Sequence, residues 1–280
     1  MAKRKYGETP ESQQKWINDG RGSGTGSQYK PWLTIHDVPS IGECHRIEGV
    51  KIARDHHLLS NPERDYFLIL EYSDAVVDIR EQFPLFQLEE TVAIAQEIGL
   101  QHPIDKYTHY PKMMTTDFLI TVNDGEKFID LARTVKKWKD LTERQMEIFE
   151  IERVYWKRRG IDWGIVTEKD INKTLALNIR DIRAKKDISN LDGYSELSAK
   201  SKKSILRKFI EDISGREVIV RDFATNFDEK MSLPIGTSIG LFKHLLANKI
   251  IVVDLGKKLE FDTPQYISLQ ESLESGVSVG

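Results

Sequence analysis

Cysteine is almost missing from this chain of 280 residues, with Cys44 standing alone. A single thiol excludes an internal disulfide and a zinc site built on cysteines, and it fits a reducing compartment. No apolar run approaches the roughly 18 residues of a membrane span. Residues 1–5 lack the apolar core of a secretion signal. An excess of one charge is lacking too: 41 Lys and Arg against 44 Asp and Glu leave a net charge of −3. Non-specific DNA affinity comes mostly from neutralised phosphates, so this balance argues against strong DNA binding by the chain alone. It leaves room for local basic patches. The apolar share, 39%, and the charged share, 30%, are ordinary for a globular protein. The length suits one large domain or two modest ones.

What is present is organised around residues 113–136. Asp117 opens the run Phe118-Leu119-Ile120-Thr121-Val122, rich in β-branched and aromatic residues. Asn123-Asp124-Gly125 is a turn signal that tolerates positive φ. A second strand is expected over 127–136, with Asp130, Ala132, Thr134 and Lys136 on one face. An Asp at one strand's start and a Lys at its neighbour's end can meet at one sheet edge. There a carboxylate and an ammonium can hold a divalent metal and a water, as phosphodiester hydrolysis requires.

A second carboxylate lies upstream. His56-His57-Leu58-Leu59 leads to Ser60 or Asn61 as helix cap, Pro62 in the first turn and Glu63 in that turn. Residues 75–85 read as a strand ended by proline. A helix is expected over 142–159 and a strand over 163–167. The order becomes α-β-β-β-α-β, the core of the restriction-endonuclease-like fold.

Elsewhere, a short helix is expected over 10–19 with Thr9 as cap, a strand or turn over 32–38, and an amphipathic helix over 89–99. The loop Gly20-Arg21-Gly22-Ser23-Gly24-Thr25-Gly26 lacks the Gly-Lys-Ser/Thr ending of a nucleotide loop, which favours a linker or a contact to a DNA backbone. Thr167-Glu168-Lys169-Asp170 reads as a helix start. It divides the chain into a catalytic domain, 1–166, and a second domain, 167–280. The second domain is expected to contain helices 168–184, 195–212 and 236–248, a short strand near 218–220, a hairpin of 250–255 with 259–261, and a frayed tail from 269. Helices followed by a β wing suggest a winged-helix-like, mainly α domain, which can bind DNA or dock a partner. Lys200, Lys202, Lys203, Arg207 and Lys208 make one of its helices basic, which reads first as a solvated face.

Several stretches taken together resemble the TnsA endonuclease family of Tn-seven-like heteromeric transposases. These are residues 20–40, His56 to Ser60 with Glu63, DIREQFPL at 78–85, TTDFLI at 115–120, TVK at 134–136 and TEKDINKTLALNI at 167–179. They run in order over nearly the whole chain. The resemblance implies a DNA endonuclease of the bacterial cytoplasm and nucleoid that cleaves the 5′ strands at transposon ends. A partner transposase, TnsB, would act on the 3′ strands, and an ATPase regulator, TnsC, would complete the system. The C-terminal half is the expected docking platform for TnsC.

On this reading Glu63, Asp117 and Lys136 are catalytic. Glu63, Asp117, Thr134 and the Val135 carbonyl surround one or two Mg²⁺ ions, for which Mn²⁺ can substitute. Lys136 orients the attacking water. Arg21, Arg54, His56 and His57 are candidate DNA contacts. Thr134 stands where the broad nuclease pattern has Asp or Glu, and a hydroxyl is a weaker metal ligand. Asp130, four residues back on the same face, is roughly 13 Å away and too far to substitute. One of the charged residues on the 142–159 helix can face the site, but the pattern does not select which. The alternatives are an architectural subunit with a degenerate site, bridging transposase and regulator, and a stand-alone restriction-type nuclease.

Overall fold

A computed structural model describes residues 8–38 and 43–270. The chain forms two compact units, residues 1–172 and 173–280.

In the first unit, α1 (Pro10–Asn18) starts at a reciprocal capping box between Thr9 and Ser12. Residues 32–38 form turns. A short antiparallel hairpin follows, β1 (His45–Glu48) with β2 (Asp55–Leu58). Next, α2 (Asn61–Tyr72) begins where the Ser60 hydroxyl accepts the Glu63 N–H, and it buries Phe67, Leu68 and Leu70.

The main sheet has four strands in sequence order. They are β3 (Val76–Pro84), β4 (Thr115–Asn123), β5 (Phe128–Val135) and β6 (Asp162–Val166). The first two junctions are antiparallel and the third is parallel. The parallel junction needs a crossover, and α4 (Glu143–Arg158) supplies it. With α3 (Leu88–Glu97), α4 closes a core of Leu85, Ile94, Leu119, Ala132, Ile151, Tyr155 and Trp156. The expected α-β-β-β-α-β order is therefore the observed one.

The glycine-rich loop is neither a free linker nor an open phosphate cradle. The Gly26 N–H donates to Asp78 on β3. A Cβ on Gly22, whose φ is +75°, would lie 2.3 Å from Pro84 Cγ. The glycine lets the loop lie directly on the strand.

The second unit contains α5 (Lys173–Arg183), α6 (Ala199–Ile213), β7 (Arg216–Ile219), α7 (Val220–Met231), α8 (Thr237–Ala247), β8 (Ile251–Val252) and β9 (Pro264–Leu269). Its three strands form an antiparallel sheet in the order β7-β9-β8. Helices with a small antiparallel sheet give the winged-helix-like, mainly α arrangement.

Three details depart from the sequence expectation. Residues 168–172 form a turn, because Asp170 accepts both the Thr167 N–H and its hydroxyl, and α5 starts only at Lys173. The hairpin partner of β8 is β9, not 259–261. The Asn178 amide holds the Leu255 and Lys257 carbonyls and accepts the Leu259 N–H, which keeps that loop out of the ladder. The sequence reading also placed no helix where α7 lies. The expected tail falls outside the described residues from 271 onward.

Candidate active site

Glu63 reaches the site from the first turn of α2. Its Oε2 accepts the Leu59 N–H at 2.9 Å, and its Oε1 accepts the Ser60 hydroxyl at 2.8 Å. Two local donors and the helix N-terminus thus fix a buried carboxylate. Asp117 comes from the start of β4, at a partly open position. Its Oδ2 accepts the Val135 N–H at 2.7 Å. Continuing the β4–β5 register from Phe118–Arg133 sets Asp117 level with Thr134. Lys136 lies one residue past β5, and its backbone N–H is tied to the Val166 carbonyl. Its positive charge favours the ionised form of Asp117. Among the described residues Lys136 forms no ion pair.

Gln82 joins the two acids. Its Nε2 lies 3.1 Å from Asp117 Oδ1 and 3.4 Å from Glu63 Oε2. Burial pushes both carboxyls up, and the Asp117 charge raises Glu63 further. Two desolvated acids sharing one amide make an all-oxygen site short of positive charge. A hard divalent cation fits such a donor set. Among the described residues no group of three or more His, Cys, Asp or Glu side chains is placed to hold a metal. The two acids would therefore need neutral oxygens to complete a shell. Val135 presents its N–H to Asp117; that contact, rather than one through the carbonyl, is the one observed.

Thr134 is not left without an acid. Its hydroxyl donates to Glu152 of α4. The same Glu152 oxygen accepts the Thr116 hydroxyl at 2.7 Å and the Trp163 indole N–H at 2.9 Å. Thr116 in turn accepts the Trp156 indole N–H. Burial pushes Glu152 up to about 7 against these donors. Sequence reasoning left this residue unselected. The signal was present: Glu152 lies four residues after Ile148 and three before Tyr155, on the apolar stripe of α4.

The four predicted DNA contacts are bonded to partners other than Glu63 and Asp117. Arg54 and His56 are buried against Glu81, which accepts both Arg54 nitrogens and His56 Nδ1. The His57 N–H also donates to Glu81, and the His57 Nδ1 accepts the Ile35 N–H. Burial alone would raise Glu81, but the hydrogen bonds and charges of Arg54 and His56 outweigh it and bring the carboxyl down to about 2. Arg21 pairs with Asp37, donates to the Trp32 carbonyl and lies over the Trp16 ring. These side chains fasten the N-terminal segments to β3 and to one another. Local sequence did not reveal this, because their partners lie 11 to 27 residues away.

A sheet with two antiparallel junctions and one parallel, with Asp117 and Lys136 on neighbouring strands and Glu63 on the helix before it, is the layout of a restriction-endonuclease-like nuclease. Comparison with known proteins narrows the class to a family. Residues 73–168 match the family described as TnsA-like endonuclease N terminal, and residues 170–255 match TnsA endonuclease C terminal. The Transposon Tn7 transposition protein TnsA of Escherichia coli is 35% identical over 243 residues, covering 86% of this chain and 85% of that protein. The chain belongs to the TnsA endonuclease family. Among the described residues no helix is long and apolar enough to cross a membrane.

Proposed function

We propose that this protein is a Mg²⁺-dependent DNA endonuclease that cleaves the 5′ strands at transposon ends. A TnsB-type transposase acts on the 3′ strands, and a TnsC-type ATPase regulates the assembly. The observation that carries the reading is the pairing of Glu63 and Asp117, acids from different elements held by one amide, with Lys136 beside them.

Bound Mg²⁺ would polarise the attacking water and offset charge on the phosphate. Glu63 and Asp117 would hold it, and Mn²⁺ can substitute. Glu63 is locked by Leu59 and Ser60, so its oxygens enter the site already oriented. Asp117 is locked by the Val135 N–H on one oxygen, which leaves the other facing Glu63 across Gln82. Lys136, at a fixed backbone position, would orient the water and balance the phosphate charge. The Thr134 proton is directed to Glu152, so its oxygen is left to accept, from a water or from a cation's shell. Glu152 thereby supplies from behind the strand the acid that position 134 lacks.

The test is cleavage of a transposon-end duplex by the full chain, with and without the partner transposase and regulator, in Mg²⁺ and in EDTA. Cutting of the 5′ strand only with the partners and Mg²⁺ supports the reading. Specific cutting of naked DNA without partners indicates a stand-alone nuclease. An intact 5′ strand under every condition indicates an architectural subunit.

A further inference from the structure

Gln82 combines three features that packing alone does not require. Its φ is +48°, a left-handed conformation that residues with a side chain rarely adopt. It lies in β3 between Glu81 and Phe83, which pair with Phe118 and Thr116, yet it forms no ladder pair with Asp117 itself. Among the described residues its amide is the one side-chain group that hydrogen-bonds both Glu63 and Asp117.

The backbone around it is held from both sides. The Gln82 carbonyl accepts the Trp32 N–H at 3.1 Å. The preceding Glu81 is clamped by Arg54, His56 and the His57 N–H. Strain that is held this firmly, at a residue aimed into a site, points to a role for its side chain.

We propose that Gln82 is a metal ligand whose amide oxygen, rather than its N–H group, faces the cation. This rests on the metal site proposed above. In the structure the Nε2 hydrogens bridge the two carboxylates. Its Oε1 accepts the Thr115 hydroxyl at 3.3 Å. A cation between Glu63 and Asp117 would need those same carboxylate lone pairs, and an N–H donor aimed at it would be repelled. Rotation of the amide by half a turn exchanges its two ends. Oε1 then faces the cation, and Nε2 faces Thr115. A hydroxyl can accept as well as donate, so the Thr115 bond survives with its direction reversed. Two carboxylates leave a hard cation's shell incomplete, and an amide oxygen is among the neutral donors such ions take.

Two roles for Gln82 predict opposite signs. If the amide only clamps the metal-free site, removing it makes divalent ions bind more tightly. If it is a ligand, removing it makes them bind more weakly. The experiment is calorimetric titration of MnCl₂ into the full chain, as wild type, Gln82→Met, Gln82→Asn and Asp117→Asn, with folding checked by circular dichroism. Methionine keeps the volume without the amide. Asparagine keeps the amide and tolerates positive φ, but it is one methylene short. We expect Kd to rise about tenfold or more in both Gln82 variants, the range typical of lost support at a metal site. If methionine prevents folding, the asparagine variant decides. Unchanged or tighter binding in the folded variants overturns the ligand role. Asp117→Asn binding Mn²⁺ as well as wild type overturns the underlying metal site instead, so the two failures are distinguishable.

Discussion

Thr134 on β5 donates its hydroxyl proton to Glu152 on α4, 18 residues further along the chain. The bond ties the position where nucleases of this fold usually carry an acid to a buried acid behind the sheet. Glu152 holds Thr116 and Trp163 through the same oxygen. Removing it strands two buried threonine hydroxyls and the half-buried Trp163 indole N–H. Each buried group costs about 1–3 kcal/mol. Glu152→Ala should therefore lower unfolding stability by at least about 2 kcal/mol, read from urea denaturation. Glu152→Gln keeps one acceptor oxygen and should lose less.

Glu152 also sets a pH dependence. Burial raises it from 4.5 to about 7 in the folded protein. A raised folded-state value means that the folded chain binds the proton more tightly than the unfolded one. Its contribution is fully present below about pH 4.5 and is lost as pH rises through about 7. Glu63 and Asp117 shift in the same direction. His57 and His102, lowered by burial, act in the opposite direction, so the Glu152→Gln variant supplies the reference. Between pH 5 and pH 8 the Tm of the wild type should fall relative to that of Glu152→Gln, and a difference that does not change across this window contradicts the raised Glu152.

Arg54 and Glu81 form a buried pair in which the arginine side chain is 8% exposed and the glutamate 0%. Breaking such a pair from one side costs about 3–5 kcal/mol. Arg54→Ala should be destabilised to that extent. A residue that contacts phosphate would instead reduce the salt slope of DNA binding by about one. For Arg54→Met, examined below its melting temperature, that slope should equal the wild-type value.

Gly22→Ala places a methyl group against Pro84 at a positive φ. Strain and overpacking together should cost about 1–3 kcal/mol. Gly26→Ala, also at positive φ but with nothing within 4 Å of its Cβ, should cost less. Chemical denaturation of the two variants makes the comparison.

The placement of Glu63, Asp117 and Lys136 on their elements was legible because each residue sits beside a strong local signal. Ser60 and Pro62 mark the helix that carries Glu63. A β-branched run marks Asp117, and a turn of Asn, Asp and Gly fixes the partner strand that ends at Lys136. Gln82 and Glu152 were not read from the sequence. Gln82 owes its role to a backbone conformation that no neighbouring Gly or Pro announces. Glu152 stands among other charged residues on α4, and its spacing from Ile148 and Tyr155 is the one sequence sign that it turns inward. In the second unit α7 begins directly from a strand with Ile219 in the cap position, whose side chain accepts no hydrogen bond, so no start signal marks it. The hairpin β1–β2 was overlooked because His45 to Arg54 reads as a polar cluster. Arg54 there faces Glu81, 27 residues away, and no local pattern encodes that pairing.

The most direct measurement is strand-specific cleavage of a transposon-end duplex with Mg²⁺ and the partner proteins, comparing wild type with Asp117→Ala and Lys136→Ala. The account predicts that 5′-strand cutting disappears in both variants while 3′-strand cutting persists. Wild-type levels of 5′ cutting in both variants would contradict it and place the chemistry outside the pocket of Glu63, Asp117 and Lys136.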